Sequence, residues 1–433
     1  MNLKQTLKMM MPKKVFRTVE PYGHLVESVA ITTAYGMPAK NMRVIGVTGT
    51  NGKTTTCYMI HKMLVEAGYN VGLMTTVANG VNNDISPQMA HMTTVSSSEL
   101  NKRLQDFKKQ GIEWLVLETT SHSLAQHRVW GVHYEIAVLT NITHEHLDYH
   151  GTFKAYVRAK RRMFDIAGTH KNGFAIVNAD DPSSAEFTAA VKEHETYGIE
   201  KGDILAKELL LSSDKSSYVA TVGSDTYNIV CHIPGEFNVQ NSLAAVSVGR
   251  RVGLTKIQIE QGIAALKSVE GRMMTIDEGQ IYTILVDFAH TPDSFERLLK
   301  DVRANTHGKL VVLFGSAGRR DESKRAIQGE IAGKYADELI LTEEDDRDID
   351  GTMILSEILG GAEKAGKVRD TTVFCELDRT KAIQLAVTRV SAANDTVVFL
   401  GKGHEKTIER ADGESPWDEA STIRSAIAAT RSN

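Results

Sequence analysis

A glycine-rich turn near the start of the chain has the residue types of a phosphate-binding loop. It lies between a predicted buried strand at residues 42–48 and a predicted amphipathic helix at residues 54–67. Backbone N–H groups of such a turn can surround phosphates, and the positive end of the following helix adds to the attraction. Lys53 would neutralise the β- and γ-phosphates of a nucleotide, and Thr54 would hold Mg²⁺. The residues of this predicted phosphate site are Gly49, Thr50, Asn51, Gly52, Lys53, Thr54 and Thr55.

The match to the general phosphate-loop pattern is incomplete, because that pattern has a glycine where this chain has Val47. A turn that is rich in glycine for structural reasons alone is the alternative. The adjacent Lys-Thr pair and the strand–turn–helix context favour phosphate binding.

A carboxylate ends another predicted strand. Glu118 closes the apolar run at residues 115–118 and begins a polar segment that extends to residue 128. A buried carboxylate without a partner is costly, and a metal ion would satisfy it. A polar cluster that caps a helix is the alternative for this segment.

Residues 140–151 contain three histidines, and a predicted helix that follows carries Lys160. The histidines suggest zinc, but no HExxH or comparable ligand pattern is present. One histidine that assists Mg²⁺ at a phosphate site fits better. Judged from its own sequence context alone, Lys160 is a solvated surface lysine.

The elements that position these residues alternate between strands and helices. Further short strands are predicted at residues 71–75 and 136–141, so the first series forms a mostly parallel sheet with helices on both faces. A second α/β series starts near residue 273. Its predicted strands are residues 283–287, 310–314, 338–342 and 396–401. In such sheets ligands bind beyond the carboxyl ends of the strands, where the candidate residues lie.

Two further segments lie between the two α/β series. Residues 242–252 are predicted to form a helix just before the second series. Residues 202–230 have a weak alternation that predicts short strands. The chain has no internal repeat and no low-complexity linker.

The composition excludes several classes of protein. With 433 residues the chain is too long for one core, and two or three domains are expected. The net charge of −4 gives no basic field for nucleic acid or an anionic membrane. No apolar run approaches the ~18 residues of a membrane helix, and the first residues lack the features of a signal peptide. The three cysteines form no CxxC pair, which favours a reducing cytoplasm.

The motifs, taken together and in this order, resemble those of the Mur ligases, and specifically the MurE type, UDP-N-acetylmuramoyl-tripeptide synthetase. The resemblance extends from about residue 42 to residue 428. The segments that carry it are residues 49–55, 118–128, 140–151, 159–164, 234–241, 271–272, 287–292, 318–325 and 401–405.

The resemblance implies an α/β fold with three parts. These are a short N-terminal extension at residues 1–41, a central P-loop ATPase domain with a mostly parallel sheet at 42–271, and a C-terminal Rossmann-like α/β domain at 272–433. A monomer is expected. Only about forty residues precede the first strand, too few for the N-terminal domain that holds UDP in the family. We therefore expect the uridine group to be held differently or to be absent.

The resemblance also implies roles for individual residues. The implied catalytic residues are Lys53, Glu118, His146, Lys160 and Arg272. The metal ligands would be Thr54, Glu118, His146 and Lys160, the last as a carbamate. Additional nucleotide contacts would be Asn238, Asn241, Arg272, Asp287 and His290. The muramoyl-peptide side would be Thr93, Thr94, Thr120, Gln126 and Arg128. The pocket for the incoming amino acid would be Arg320, Asp345, Arg347, Gly401 and Glu405.

The chain departs from the family at several of these places. Glu145 stands where an aspartate is usual before the metal histidine, and Thr120 where a serine is usual. The diaminopimelate-type Asp-Asn-Pro-Arg signature reads Glu-Asp-Asp-Arg at residues 344–347.

The acidic run at residues 343–350 is either a solvated loop or part of the substrate pocket. In the pocket, Asp345 and Glu405 would pair with amino groups of the substrate. Arg347 would hold a carboxylate, which favours diaminopimelate over lysine.

The first functional hypothesis is a cytoplasmic ATP- and Mg²⁺-dependent ligase. It would join diaminopimelate or lysine to a muramoyl-dipeptide-like acceptor through an acyl-phosphate. The second is the same chemistry on an acceptor without UDP, as in folylpolyglutamate or cyanophycin synthesis. The third is a catalytically silent ATP-binding subunit. The intact Lys53, Glu118, His146 and Lys160 disfavour the third hypothesis.

Overall fold

The structure is a computed structural model of the chain that describes residues 13–88, 94–143, 145–212 and 214–431. The chain divides into two compact units. The first unit comprises residues 1–207, 220–227 and 240–265, and the second comprises residues 208–219, 228–239 and 266–433.

Helices and strands alternate through most of the described chain. The helices are α1 (Lys13–Ala34), α2 (Lys53–Glu66), α3 (Ser97–Lys109), α4 (Ser121–Ala125), α5 (Leu147–His150), α6 (Phe153–Thr169), α7 (Ser184–Thr188), α8 (Glu236–Val252), α9 (Lys256–Ala264), α10 (Pro292–Asn305), α11 (Lys324–Tyr335), α12 (Gly351–Lys364), α13 (Arg379–Thr388) and α14 (Glu419–Arg431), with a 3₁₀ turn at Pro38–Asn41. The strands are β1 (Arg43–Thr48), β2 (Val71–Met74), β3 (Ala78–Val81), β4 (Asp84–Pro87), β5 (Trp114–Glu118), β6 (Tyr134–Leu139), β7 (Phe174–Asn178), β8 (Glu193–Gly198), β9 (Ile204–Leu211), β10 (Ser216–Val222), β11 (Asp225–Cys231), β12 (Met274–Thr275), β13 (Thr283–Asp287), β14 (Leu310–Phe314), β15 (Glu338–Leu341), β16 (Val373–Cys375), β17 (Thr396–Leu400), β18 (Thr407–Arg410) and β19 (Gly413–Pro416).

Strand β1 lies inside the larger sheet, whose order is β11-β10-β9-β8-β7-β6-β1-β5-β2-β3-β4. It pairs in parallel with β5 and with β6, in a register that sets Val47 opposite Glu118 and Thr48 opposite Leu139. Every residue of β5 and β6 is buried, as expected for a strand covered on both faces. The carboxyl ends of the three strands therefore meet at one edge of the sheet.

The second unit contains a six-stranded sheet with the order β12-β13-β17-β14-β15-β16. Its pairs are parallel except β12 with β13, which is antiparallel. Because β14, β15 and β17 run in the same direction, the loops that follow them leave the same edge. The predicted α/β fold class is confirmed.

The boundaries of the predicted elements were close, with one exception, and the short strands predicted at residues 202–230 are confirmed. The helix expected at residues 242–252 begins earlier, at Glu236, so that prediction was wrong in its start. Residues 202–230 form three strands, β9 to β11, that continue the larger sheet. The predicted apolar face of α2 is buried and consists of Met59, Ile60, Met63 and Leu64.

Each unit has its own apolar core. In the first unit, side chains of β5 and β6 pack with those of α3 and α6. In the second, side chains of β13, β14 and β17 pack with those of α13 and α14. None of the helices within the described ranges is long and apolar enough to cross a membrane.

Candidate active site

The glycine-rich loop after β1 is held by the residues that follow β6. The N–H of Thr50 donates to the carbonyl of Asn141 at 2.7 Å, and the N–H of Asn51 donates to the Asn141 side-chain oxygen at 3.0 Å. A Cβ at Gly49 would lie 1.9 Å from the hydroxyl oxygen of Thr140, so only glycine fits there. Parallel pairing of β1 with β6 creates this close approach.

Helix α2 begins directly after Gly52, which has a φ of 81° and no side chain to cap the helix. A Cβ at Gly52 would lie 2.2 Å from Oδ1 of Asn241, so the loop and this predicted nucleotide residue are in contact. Helix N-termini attract anions through their first N–H groups and the helix dipole. The geometry of the loop is therefore suited to a phosphate.

Two residues at the start of α2 carry the predicted catalytic groups. Lys53 Nζ donates to the carbonyl of Thr50 at 2.7 Å, and the hydroxyl of Thr54 donates to Glu118 Oε2 at 2.9 Å. The N–H and hydroxyl of Thr76 also donate to the Glu118 carboxylate, each at 3.0 Å.

Glu118 is 2% exposed, and no described residue forms an ion pair with it. A buried carboxylate beside a hydroxyl is a hard oxygen donor set that fits Mg²⁺. The structure brings together Thr54 and Glu118, which are two of the four predicted metal ligands.

Lys160 is 2% exposed, so its interpretation as a solvated surface lysine was wrong. Its Nζ donates to the carbonyl of Gly49 at 2.5 Å and lies 4.6 Å from the ring centre of Tyr156. Burial, and then the charge of Lys53, lower the pKa of Lys160 well below its ordinary value. The amine therefore lies against the phosphate loop and loses its proton more readily than a surface lysine does.

His146 is exposed and has a φ of 55°. Its Nε2 lies 3.7 Å from a carboxylate oxygen of Glu145. The centres of the His146 and His122 rings are 4.6 Å apart. Within the described ranges, no group of three or more His, Cys, Asp or Glu residues is arranged to hold a metal ion. The structure thus places His146 with Glu145 and His122.

The residues predicted for the muramoyl-peptide side gather around α4. The Thr120 hydroxyl caps this helix by accepting from the N–H of Ser123 at 3.2 Å, and it lies 3.3 Å from the hydroxyl of Thr94. The guanidinium of Arg128 donates to the carbonyl of Thr94. Gln126 is the residue that ends the helix. The other predicted residue, Thr93, lies outside the described residues.

The predicted nucleotide residues of the second unit surround Phe288. The Arg272 guanidinium lies 4.8 Å, and the His290 ring 4.7 Å, from the Phe288 ring centre. The Asp287 carboxylate accepts N–H groups from Met273 and Ala289, both at 2.7 Å. Burial raises the pKa of Asp287, and the positive charge of Arg272 opposes that shift.

Asn238 is the remaining predicted nucleotide residue, and it lies in the first turn of α8. It is buried, and its side-chain amide donates to the carbonyl of Pro234 at 2.7 Å.

The acidic run after β15 is buried only at its start, where Glu343 and Glu344 lie, whereas Asp348 and Asp350 are exposed. Asp345 Oδ1 accepts from Lys402 Nζ at 2.9 Å, and Glu405 Oε2 accepts from the same ammonium at 2.6 Å. The sequence analysis missed Lys402. No local pattern identifies Lys402, because its partner Asp345 lies 57 residues away in the sequence.

The other residues predicted for the pocket of the incoming amino acid lie in the same unit. A Cβ at Gly401 would lie 2.5 Å from Glu344 Oε2, so Gly401 is packed against that carboxylate. Arg347 Nε donates to Glu409 Oε2 at 2.7 Å, and another nitrogen of its guanidinium donates to the carbonyl of Gly318. Arg320 is exposed.

A buried ion pair fixes the strand ends beside these residues. Arg379 and Glu419 are both 0% exposed and meet at 2.6 Å and 2.9 Å. The same guanidinium donates to the carbonyls of Glu343 and Leu400, each at 2.9 Å, which follow β15 and end β17. One side chain therefore joins α14 to both strand ends.

Replacement of Arg379 by methionine should lower the free energy of unfolding by about 3–5 kcal/mol, because the Glu419 carboxylate would remain buried without its partner. Arg389→Met is the control, since Arg389 pairs with Glu338 at 2.6 Å but is partly exposed. The Arg389→Met variant should lose about 1 kcal/mol or less of its free energy of unfolding. Denaturant unfolding measures both. Equal losses of unfolding free energy in the two variants would show that the buried pair stabilises the protein no more than the partly exposed pair does.

Comparison with known proteins identifies the family. Residues 47–249 match the Mur ligase middle domain, and residues 271–403 match the Mur ligase glutamate ligase domain. The chain is 39% identical over 411 residues to UDP-N-acetylmuramyl-tripeptide synthetase of Roseiflexus sp. (strain RS-1), which covers 91% of this chain and 80% of that protein. The chain belongs to the Mur ligase family. This Mur ligase is an ATP-dependent enzyme that forms an amide bond and releases ADP.

Other relatives of this Mur ligase support the same family assignment. It is 37% identical over 373 residues to UDP-N-acetylmuramoyl-L-alanyl-D-glutamate--2,6-diaminopimelate ligase of Syntrophomonas wolfei, covering 86% of this chain and 75% of that protein. A solved structure of a ligase with the same name has a TM-score of 0.65 and 29% identity, covering 95% of this chain and 83% of that one.

A more distant structure shows the fold alone. E. coli FolC in complex with ADP has a TM-score of 0.69 at 20% identity, covering 94% of this chain and 95% of that one. The resemblance to Mur ligases is thus confirmed, and the fold by itself does not separate the two ligase hypotheses.

Proposed function

We propose that this Mur ligase adds an amino acid with a second amino group, diaminopimelate or lysine, to a UDP-muramoyl-dipeptide-like acceptor in peptidoglycan synthesis. The observation that carries the proposal is the similarity to a tripeptide synthetase and a diaminopimelate ligase along most of their length. The acidic residues after β15, which would attract amino groups, support it.

The chemistry requires activation of the acceptor, because a carboxylate is a poor electrophile. One carboxylate oxygen attacks the γ-phosphorus of ATP, ADP leaves, and an acyl-phosphate forms. The amine of the incoming amino acid then attacks the acyl carbon, inorganic phosphate leaves, and the amine nitrogen loses its proton. Both steps depend on the positioning of reactants and on neutralisation of phosphoryl charge.

The described residues can be given roles in this chemistry. Lys53 would neutralise the transferred phosphoryl group, and Arg272 would contact the nucleotide. Thr54 and Glu118 would hold Mg²⁺, which when bound neutralises charge on the phosphates. His146 and a carbamate on Lys160 would complete a second metal position. Thr94, Thr120, Gln126 and Arg128, with Thr93, would face the acceptor peptide.

A phosphate-release assay tests the proposal. Acceptors with and without a UDP group are each supplied with ATP, Mg²⁺ and one amino acid from a panel. Phosphate release should require both the muramoyl-dipeptide acceptor and an amino acid with two amino groups, and the product mass should show their amide. Turnover only with a folate-like acceptor and glutamate would replace this proposal with the folylpolyglutamate type.

A further inference from the structure

The phosphate loop is supported by residues 139–143, the last residue of β6 and the four that follow it, which we call the brace. Asn141 of the brace accepts hydrogen bonds from the N–H groups of Thr50 and Asn51. The hydroxyl of Thr140, also in the brace, donates to the carbonyl of Asn51 at 2.6 Å. Strand β6 lies next to β1 in the sheet, so the loop and the brace leave the same edge side by side. The position of the loop backbone therefore depends on the position of the brace.

The brace is itself held by three buried polar side chains from the other side of β6. They come from β7, the turn after it and β8, and they are Asn178, Asp181 and Tyr197, which are 2%, 6% and 0% exposed. The side-chain amide of Asn178 donates to the carbonyl of Thr140 at 2.8 Å. Oδ2 of Asp181 accepts from the N–H of Ile142 at 2.5 Å.

Tyr197 provides the third of these contacts. Its hydroxyl donates to the carbonyl of Leu139 at 2.8 Å. Burial, and then the charges of Asp181 and Asp180, raise the pKa of Tyr197, so the hydroxyl stays protonated and keeps its role as a donor. The three side chains thus pair with backbone groups of three brace residues.

A purely local role does not account for Asp181. Its Oδ1 accepts from the N–H of Ser183 at 2.8 Å, as an aspartate in a turn commonly does. Its Oδ2 reaches Ile142, which lies 39 residues away. A carboxylate has only acceptors and can meet both N–H groups, whereas an amide would turn its NH₂ group towards one of them. The chemistry of the residue therefore suits the joining of the turn to the brace.

We infer that Asn178, Asp181 and Tyr197 are positioning residues for ATP, which fix the brace and through it the phosphate loop. They act without touching the nucleotide, because the brace lies between them and the loop. A loop whose N–H groups are already oriented binds phosphates without the cost of ordering it first. The inference concerns the nucleotide alone, so it holds whichever acceptor and amino acid the enzyme joins.

Calorimetric titration of the full chain with ADP tests the inference without acceptor or amino acid. Asp181→Asn should raise the Kd for ADP about tenfold, because the brace loses one of its anchors and the loop is less ordered. Tyr197→Phe should raise it about threefold to fivefold, because it removes one hydrogen bond and keeps the ring in place. Tyr197→Phe also keeps the test decisive where Asp181→Asn does not fold. An unchanged Kd in folded variants would overturn the inference.

Two matched variants control for a general loss of stability. Tyr227→Phe removes the hydrogen bond that the hydroxyl accepts from Arg250 at 2.8 Å, in β11 at the edge of the same sheet. Asp203→Asn changes a carboxylate that accepts from the N–H of Thr196 at 2.8 Å in β8. Both should keep the Kd of the unmodified protein for ADP. A rise in the controls as large as that in Tyr197→Phe would attribute the effect to destabilisation and contradict the inference.

Combination with Asn141→Ala tests the route through the brace. Asn141→Ala should itself weaken ADP binding, because its side chain holds the N–H of Asn51. Adding Asp181→Asn should then cause about a twofold further rise in Kd or less, since residues that act through one contact are not additive. Full multiplication of the two single effects would show that Asp181 does not act through the brace.

Ligation kinetics distinguish a positioning role from a general distortion of the enzyme. In Asp181→Asn and Tyr197→Phe, the KM for ATP should rise by the same factor as the Kd for ADP, and kcat should fall. The KM for the amino acid should stay within about twofold, because the brace contacts the phosphate loop. An equal rise in both KM values would contradict the assignment.

Discussion

Lys53→Ala should reduce ATP turnover about a thousandfold or more, because the variant lacks the ammonium that would neutralise the transferred phosphoryl group. The variant should remain folded. The Lys53 ammonium donates to the carbonyl of Thr50 in its own loop, and no other hydrogen bond of this ammonium is formed with the described residues. The free energy of unfolding should therefore change by about 1 kcal/mol or less. ADP release and denaturant unfolding measure the two effects.

Lys62→Ala is the matched control for this variant. Lys62 lies on the same helix α2 and pairs at the surface with Glu66 at 2.6 Å. Its replacement should leave ATP turnover unchanged, because the pair is far along the helix from the phosphate loop. Near-normal ligation by folded Lys53→Ala protein would remove the loop from the catalytic site.

Lys160 should carry a carbamate in the active enzyme, and Lys160→Ala should reduce ligation about a hundredfold or more. The buried environment of Lys160 favours formation of the carbamate. A neutral amine can attack CO₂ through nitrogen and lose a proton, and burial keeps the Lys160 amine neutral at a pH where a surface lysine is charged. The product replaces a potential cation with an oxygen ligand that suits Mg²⁺.

Mass spectrometry in mild alkali with bicarbonate should detect one added CO₂ on the peptide that contains Lys160. Short-chain carboxylates should restore part of the activity of Lys160→Ala, because they can supply the missing oxygen ligand. Lys154→Ala, an exposed lysine on the same helix α6, is the control and should need no rescue. Full activity of the enzyme with unmodified Lys160 would rule out the carbamate.

The sequence predicted the features that depend on neighbouring residues. Strands β13 and β14 were predicted with their observed bounds, because a short buried strand is an uninterrupted apolar run with polar ends. The phosphate loop was predicted because its glycines and its Lys-Thr pair are contiguous. The position of Glu118 at a strand end was also predicted from neighbouring residues. Parallel pairing of β1 with β5 then places Glu118 beside Thr54.

The features that were missed depend on contacts between distant segments. The burial of Lys160 follows from its bond to Gly49, 111 residues away, which no helical periodicity reveals. Lys402 reaches Asp345 across 57 residues, and Arg347 reaches Glu409 across 62. A single sequence shows that these charges exist, but their pairing depends on the packing of the second sheet.

The Arg379–Glu419 pair has a consequence for the order in which the protein is completed during synthesis. Chains emerge from the ribosome N-terminus first, and Glu419 follows Arg379 by 40 residues. Until α14 emerges, burial of the Arg379 guanidinium would leave it without its partner, at a cost of about 3–5 kcal/mol. The ends of β15 and β17 can therefore settle only late in translation. The elements of the phosphate loop, which are all encoded before Arg379, can be in place well before the amino-acid pocket exists.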